Sequence, residues 1–233
     1  TGVDNLPMAA LEARGIAVMR AEGANARGVA ELALTLALAG MRDVVPTHQG
    51  MKQGDWPRRI GREMDRARVG VVGLGAIGTQ FSRFCLALGA EVRGFDPFAP
   101  PDRITDPGFL RTDLETALSG AHLVSLHAPM PADGAPLIGA DLLAGLAPGA
   151  VLVNTARAGL LETPALIAAL DSGQVGTYAT GVFETEPPEP SQLLAHPRVI
   201  LTSHIGGFTT ESVERATVAA VANLMTALHV HAD

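Results

Sequence analysis

The run Val69-Gly70-Val71-Val72-Gly73-Leu74-Gly75-Ala76-Ile77-Gly78 constrains this chain more than any other feature. A β-branched stretch breaks into G-x-G-x-x-G, and a helical pattern follows over residues 77–88. Gly73 permits a tight turn, Gly75 lets a ligand approach the main chain, and Gly78 lets the helix pack against the strand it leaves. The helix N-terminus then offers free N–H groups and a favourable dipole to a phosphate. A tight turn with no ligand would use the same glycines, but the strand before and the helix after favour a dinucleotide. Asp96 adds to this, because it ends the next strand 96 − 78 = 18 residues past the last glycine, where a carboxylate accepts ribose hydroxyls and repels a 2′-phosphate. The expected cofactor is NAD. An NADP reading requires a cation to offset Asp96, and Arg93 on the same strand is the near candidate.

From residue 69 onward, short β-branched runs alternate with helical patterns. Strands are expected at 69–73, 91–95, 122–126, 150–154, 176–182 and 198–202, with helices at 77–88, 113–118, 141–146 and 163–170. Each crossover is long enough to return in the parallel sense and cover a sheet face. The expected fold is therefore α/β, a doubly wound parallel sheet of six strands of the Rossmann type. Ahead of it, residues 25–41 read as one helix, apolar almost all round at Leu32, Leu34, Leu36 and Leu38, which suits a buried connector or a subunit interface. Behind it, Thr209-Thr210-Glu211 opens an amphipathic helix over 209–228. Pro187, Pro188 and Pro190 hold residues 184–191 in an extended loop.

Composition excludes several classes. Of 233 residues, 47% are hydrophobic, enough for a core that offsets chain entropy, so disorder is out. A net charge of −7 without a block of Lys and Arg lacks the footprint of a nucleic-acid binder. Cys85 is the one cysteine, so no internal disulfide forms and a reducing cytoplasm is the expected location. The longest charge-free apolar stretch of helical character, residues 32–41, falls short of the ~20 residues a membrane helix needs, and no membrane partner is expected. His229 and His231 have no third ligand near them, so no metal is expected.

Three later stretches put polar groups where strands give way to loops, the edge at which open α/β sheets bind ligands. They are Asn154-Thr155-Ala156-Arg157, Phe183-Glu184-Thr185-Glu186-Pro187 and Thr202-Ser203-His204-Ile205-Gly206-Gly207. An Arg can clamp a carboxylate through two N–H groups, and a His held by a Glu can carry the proton that moves when a hydride moves. That chemistry suits oxidation of a 2-hydroxy acid or its reverse. Taken singly, an Arg such as Arg157 is more often a solvated surface charge, and a His before Gly-Gly such as His204 more often a turn residue.

The ordered series TGVDN, RGIAV, GVAELALTLALAGMR, GDW at Gly54 to Trp56, VGVVGLGAIG, FDP at Phe95 to Pro97, SLHAPMP, LVNTARAGLLE, VFETEP and TSHIGG resembles the D-isomer-specific 2-hydroxyacid dehydrogenases from Thr1 to about Ala227. The resemblance implies an NAD-dependent oxidoreductase that interconverts a D-2-hydroxy acid and its 2-keto acid. By it, Arg157 would hold the substrate carboxylate and carbonyl, His204 would be the acid and base, and Glu186 would pair with His204 and favour the imidazolium. Glu184 matches a variable position. The cofactor would touch Ala76, Ile77, Thr155, Ala156, His204 and Gly206 besides the glycines and Asp96, mostly through backbone groups. His127 sits beside the same loop, either as a contact or as a structural turn residue. Cys85 reads as a core residue and Trp56 as a packing aromatic. The 25–41 helix resembles the family's interdomain helix, which also builds a homodimer interface.

Three departures from the family pattern matter. Gly181 stands where Asp is usual, and that carboxylate accepts a hydrogen bond from the nicotinamide amide. Its loss costs roughly 1.5–3 kcal/mol if nothing replaces it. Ala158 replaces the usual Gly after Arg157, a milder change. The chain also opens on Thr1 inside what reads as a structured segment, so most of an N-terminal lobe is expected to lie outside the given sequence. The expected organisation is the end of a flavodoxin-like substrate domain and hinge over 1–24, an NAD-binding domain over 25–206 and a C-terminal interdomain helix over 207–233. The competing reading is an NAD(H)-binding module without turnover, in the manner of the family's corepressors.

Overall fold

A strand covered on both faces must carry apolar side chains on both, and the central runs of this chain do so. In the computed structural model, which describes residues 6–228, β1 (Arg68–Val72), β4 (Leu123–Leu126) and β5 (Ala150–Asn154) are buried at nearly every position. They sit at the centre of a seven-stranded sheet with β2 (Glu91–Phe95), β3 (Phe109–Arg111), β6 (Val175–Thr180) and β7 (Val199–Leu201). The order is β3-β2-β1-β4-β5-β6-β7, and every pairing is parallel. The chain reverses direction of travel between β1 and β4, which opens a crevice at their carboxyl ends. The TGVDN start lies outside the described residues, as do His229 and His231 and the reading attached to them.

Helices cover both faces. On one lie α4 (Ala76–Ala87) and α2 (Ala26–Met41), which bury Phe81, Cys85, Ala30, Ala33 and Leu36 against the sheet. On the other, α5 (Leu114–Leu118), α6 (Ala140–Ala144) and α7 (Thr163–Ser172) bury Leu118, Leu143, Leu166 and Leu170. The expected apolar helix at 25–41 is thus a sheet-packing element. Its approach is close: a Cβ on Gly40 would lie 2.8 Å from Val151 Cγ1. Asp113 caps α5 by accepting from Thr116 N at 2.8 Å. Thr209 caps α8 (Thr210–Ala227) by accepting from Ser212 N at 3.1 Å.

The structure corrects the strand count from six to seven. β3 spans three residues at the sheet edge, too few to show an alternation and only partly covered. Two further helices, α1 (Met8–Ala13) and α3 (Val44–Gln53), bury no residue and so left no apolar stripe to read. Trp56, expected to pack, is 75% exposed, whereas Cys85 is a core residue as expected, its thiol pushed up to about 12 by burial.

Candidate active site

The glycine turn is shaped by what surrounds each glycine. Gly73 has φ +92°, and a Cβ there would meet Ala128 N at 2.6 Å; one on Gly78 would collide with Gly73 O. Both positions therefore exclude side chains. Gly75 is the opposite case, with nothing within 4 Å of its Cβ position. The main chain is bare there, at the N-cap of α4, where no side chain caps the helix and where Ala76 is exposed and Ile77 half-buried. This cradle fits a pyrophosphate.

Asp96 follows β2, and its carboxylate binds three backbone groups. Leu74 N donates to Oδ2 at 2.8 Å, while Phe98 N and Ala99 N donate to Oδ1 at 2.8 and 3.0 Å. An ionised carboxylate offers about four acceptor sites, so Oδ2 retains one for a ribose hydroxyl. Two cations hold this corner, and neither was legible from spacing. Arg111 donates to the carbonyls of Asp96 and Ala99, each at 2.6 Å, and Arg103 Nε to Leu74 O at 3.3 Å. Arg93, the near candidate for offsetting Asp96, instead donates to Thr116 O at 3.3 Å, toward α5.

His127 follows β4 and underlies the turn. Its N–H donates to Val72 O at 2.7 Å, its ring packs on Phe81 with centroids 5.1 Å apart, and Nε2 pairs with Ser125 Oγ at 2.9 Å. Nδ1 is buried with no partner. Burial pushes its pKa down to about 3, so the ring is neutral. These contacts give His127 a structural place beneath the turn.

The second half of the site lies at the carboxyl ends of β5, β6 and β7. Beyond β5, Asn154 Oδ1 accepts from Ala156 N at 3.0 Å and Nδ2 donates to Arg157 O at 2.8 Å, which fixes the main chain of the turn. Arg157 Nη1 donates to Ala156 O at 2.6 Å. Thr155 Oγ1 is buried without a partner. Beyond β7, His204 Nδ1 lies 3.0 and 2.9 Å from the two carboxylate oxygens of Glu186, and Glu186 Oε1 also accepts from Phe183 N at 3.2 Å. The fold thus brings together His204 and Glu186, 18 residues apart in the chain. Arg157 and His204 lie beyond strands that both pair with β6.

Gly181 lies just past β6. A Cβ there would sit 2.7 Å from Thr202 Oγ1, itself buried without a partner. Gly206 packs against α2, its Cβ position 3.3 Å from Val29 Cγ2. The residues missed from the sequence are Tyr178 and Thr180 of β6, together with the side-chain role of Asn154. The Asn154 bond to a backbone N–H two residues on is an Asx-turn pattern, and this was the available signal. A wide groove of about 1350 Å³ lies at the opposite, amino-terminal edge of the sheet beside His122, Gly149 and Arg198, away from all of these groups.

Comparison with known proteins agrees with this geometry. Residues 34–206 match the family described as D-isomer specific 2-hydroxyacid dehydrogenase, NAD binding domain. D-3-phosphoglycerate dehydrogenase of Archaeoglobus fulgidus is 35% identical over 214 residues, which cover 91% of this chain and 41% of that protein. The enzyme of that name from Mycobacterium bovis is 36% identical over 217 residues, covering 92% and 41%. The chain therefore spans about two fifths of the length of these relatives. Among solved structures, D-2-hydroxyisocaproate dehydrogenase superposes with a TM-score of 0.89 at 27% identity, over 98% of this chain and 74% of that one. D-lactate dehydrogenase with NAD+ from Lactobacillus jensenii superposes at 0.84 and 25% identity, over 100% and 75%. With its glycine turn, its acid at the end of β2 and its seven parallel strands, the chain belongs to the D-isomer specific 2-hydroxyacid dehydrogenase family, of which it carries the NAD-binding domain.

Proposed function

We propose that this chain is the cofactor-binding part of an NAD-dependent dehydrogenase that interconverts a D-2-hydroxy acid and its 2-keto acid. The observation that carries the reading is the His204–Glu186 pair, with Nδ1 2.9 Å from Oε2, at the same sheet edge as the Arg157 turn. Gly73, Gly75, Gly78, the first turn of α4 at Ala76 and Ile77, Asp96, Thr155 and Ala156 would hold NAD, which supplies the hydride acceptor or donor. The carboxylate of Glu186 favours the proton on Nδ1, leaving Nε2 to give a proton to the keto oxygen or take one from the hydroxyl. The planar fork of Arg157 suits the substrate carboxylate and draws the carbonyl toward His204. Gly206, packed on α2, would serve through its backbone. The substrate is a D-2-hydroxy acid or its 2-keto acid, part of whose cleft would come from the remainder of a longer protein. A homodimer in a reducing, cytoplasmic setting completes the proposal. Among the described residues no helix is long and apolar enough to cross a membrane, and no group of three or more His, Cys, Asp or Glu could hold a metal.

Gly181 favours a second reading, an NAD(H)-binding module without turnover, because it offers no carboxylate to the nicotinamide amide. One experiment separates the two. NADH absorbance is followed as the chain meets glyoxylate, hydroxypyruvate, pyruvate and phenylpyruvate, with Arg157→Ala alongside. Oxidation that disappears in Arg157→Ala is expected. NADH binding with no reduction of any acid would instead support the module.

A further inference from the structure

We propose that Asn154, Tyr178 and Thr180 form a buried polar cluster that positions the Arg157 turn against the segment carrying Glu186. The proposal rests on the reading of Arg157 as the carboxylate fork. All three side chains are buried, at 0%, 3% and 1% exposure. Burial of this much polar surface is costly unless its groups are bonded, and here they are.

The connections run both ways. Asn154 grips its own turn through Ala156 N and Arg157 O, and its Nδ2 lies 3.5 Å from Tyr178 Oη. Thr180 Oγ1 lies 3.1 Å from both Asn154 O and Val182 O and accepts from Val182 N at 3.2 Å, while Gly181 N donates to Asn154 O at 3.3 Å. One hydroxyl therefore ties the end of β5 to residues 180–182. Residue 183 follows directly, and its N–H holds Glu186 Oε1, which in turn holds His204. An unbroken path of bonds thus leads from the Arg157 carbonyl to His204. A cavity of about 420 Å³ lies beside the path, lined by Ala158, Tyr178, Val182 and Phe183 among others.

The test uses Asn154→Ala, with Thr180→Val and Thr180→Ser as a second pair in case the first does not fold. Amide exchange of Ala156 is followed by NMR beside that of Val69–Val72 in β1. NADH-dependent reduction of the best keto acid supplies KM and kcat. Thr180→Val is expected to speed exchange at Ala156 at least tenfold with β1 unchanged, and to raise KM for the acid about tenfold with kcat within twofold. Thr180→Ser should restore both. Exchange at Ala156 within twofold of the parent chain, or acceleration spread equally over β1, would overturn the proposal. An Arg157→Ala chain that keeps the parent KM would sink the reading of Arg157 instead, and the exchange arm would still decide the cluster.

Discussion

Burial of a neutral histidine beneath the cofactor turn makes the fold sensitive to acid. The pKa of His127 falls from 6.5 to about 3 through burial. An unfolded chain binds the proton at 6.5 and the folded chain does not, so this group's contribution is fully present above pH 6.5 and is lost as pH falls toward 3. At ~1.36 kcal/mol per unit, the loss is about 2 kcal/mol at pH 5 and approaches about 5 kcal/mol below pH 3. His122, whose pKa burial also lowers, acts in the same direction. A His127→Phe chain removes the first contribution and keeps the second. It also leaves Ser125 Oγ, at 0% exposure, without its partner, which costs about 1–3 kcal/mol at every pH. The quantity to compare is therefore the change in stability between pH 7.5 and pH 5.0, with Ser125→Ala/His127→Phe as a further control. Urea unfolding is best followed by far-UV circular dichroism, since the single tryptophan is already 75% exposed when folded. The parent chain should lose about 2 kcal/mol more than either variant over that interval. Equal losses in all three would refute the reasoning.

Two further predictions concern the cofactor. Gly75→Ala adds a Cβ that meets nothing within 4 Å, so the urea midpoint should not change, while NADH affinity measured by fluorescence titration should fall at least tenfold; unchanged affinity would remove the pyrophosphate from this turn. Gly181→Asp brings a carboxylate beside the unpartnered Thr202 Oγ1, which must rotate from its 2.7 Å approach and can then donate to it; NADH should bind about tenfold or more tighter, by the ~1.5–3 kcal/mol of a bond to a charged group, and affinity equal to the parent's would show that Gly181 costs nothing.

Local patterns were readable wherever one short segment carries its own constraint. The glycines around Gly75 announce a strand, a turn and a helix because only they tolerate the backbone contacts found there. The apolar run that became α2 could only be buried, and Asp96 ended its strand where expected. Elements with no buried face, α1 and α3, and a three-residue edge strand, β3, carry no such pattern. The partner of a long polar side chain was equally hidden. Nothing in spacing shows Arg111 reaching back 15 residues to Asp96 O, or Arg93 turning toward α5 rather than toward the acid.

The sequence by itself determined the order of the buried strands and of the helices between them, the cofactor turn and its acid, and the residue types at the sheet's carboxyl edge, because each follows from periodicity or from the conformational needs of a few adjacent residues. The family resemblance already implied a pairing of Glu186 with His204; only the tertiary structure decided that Asn154 and Thr180 tie two loops together and that His127 lies neutral under Gly73. Those facts depend on which strands become neighbours, and a parallel sheet sets that through crossovers far longer than any local pattern.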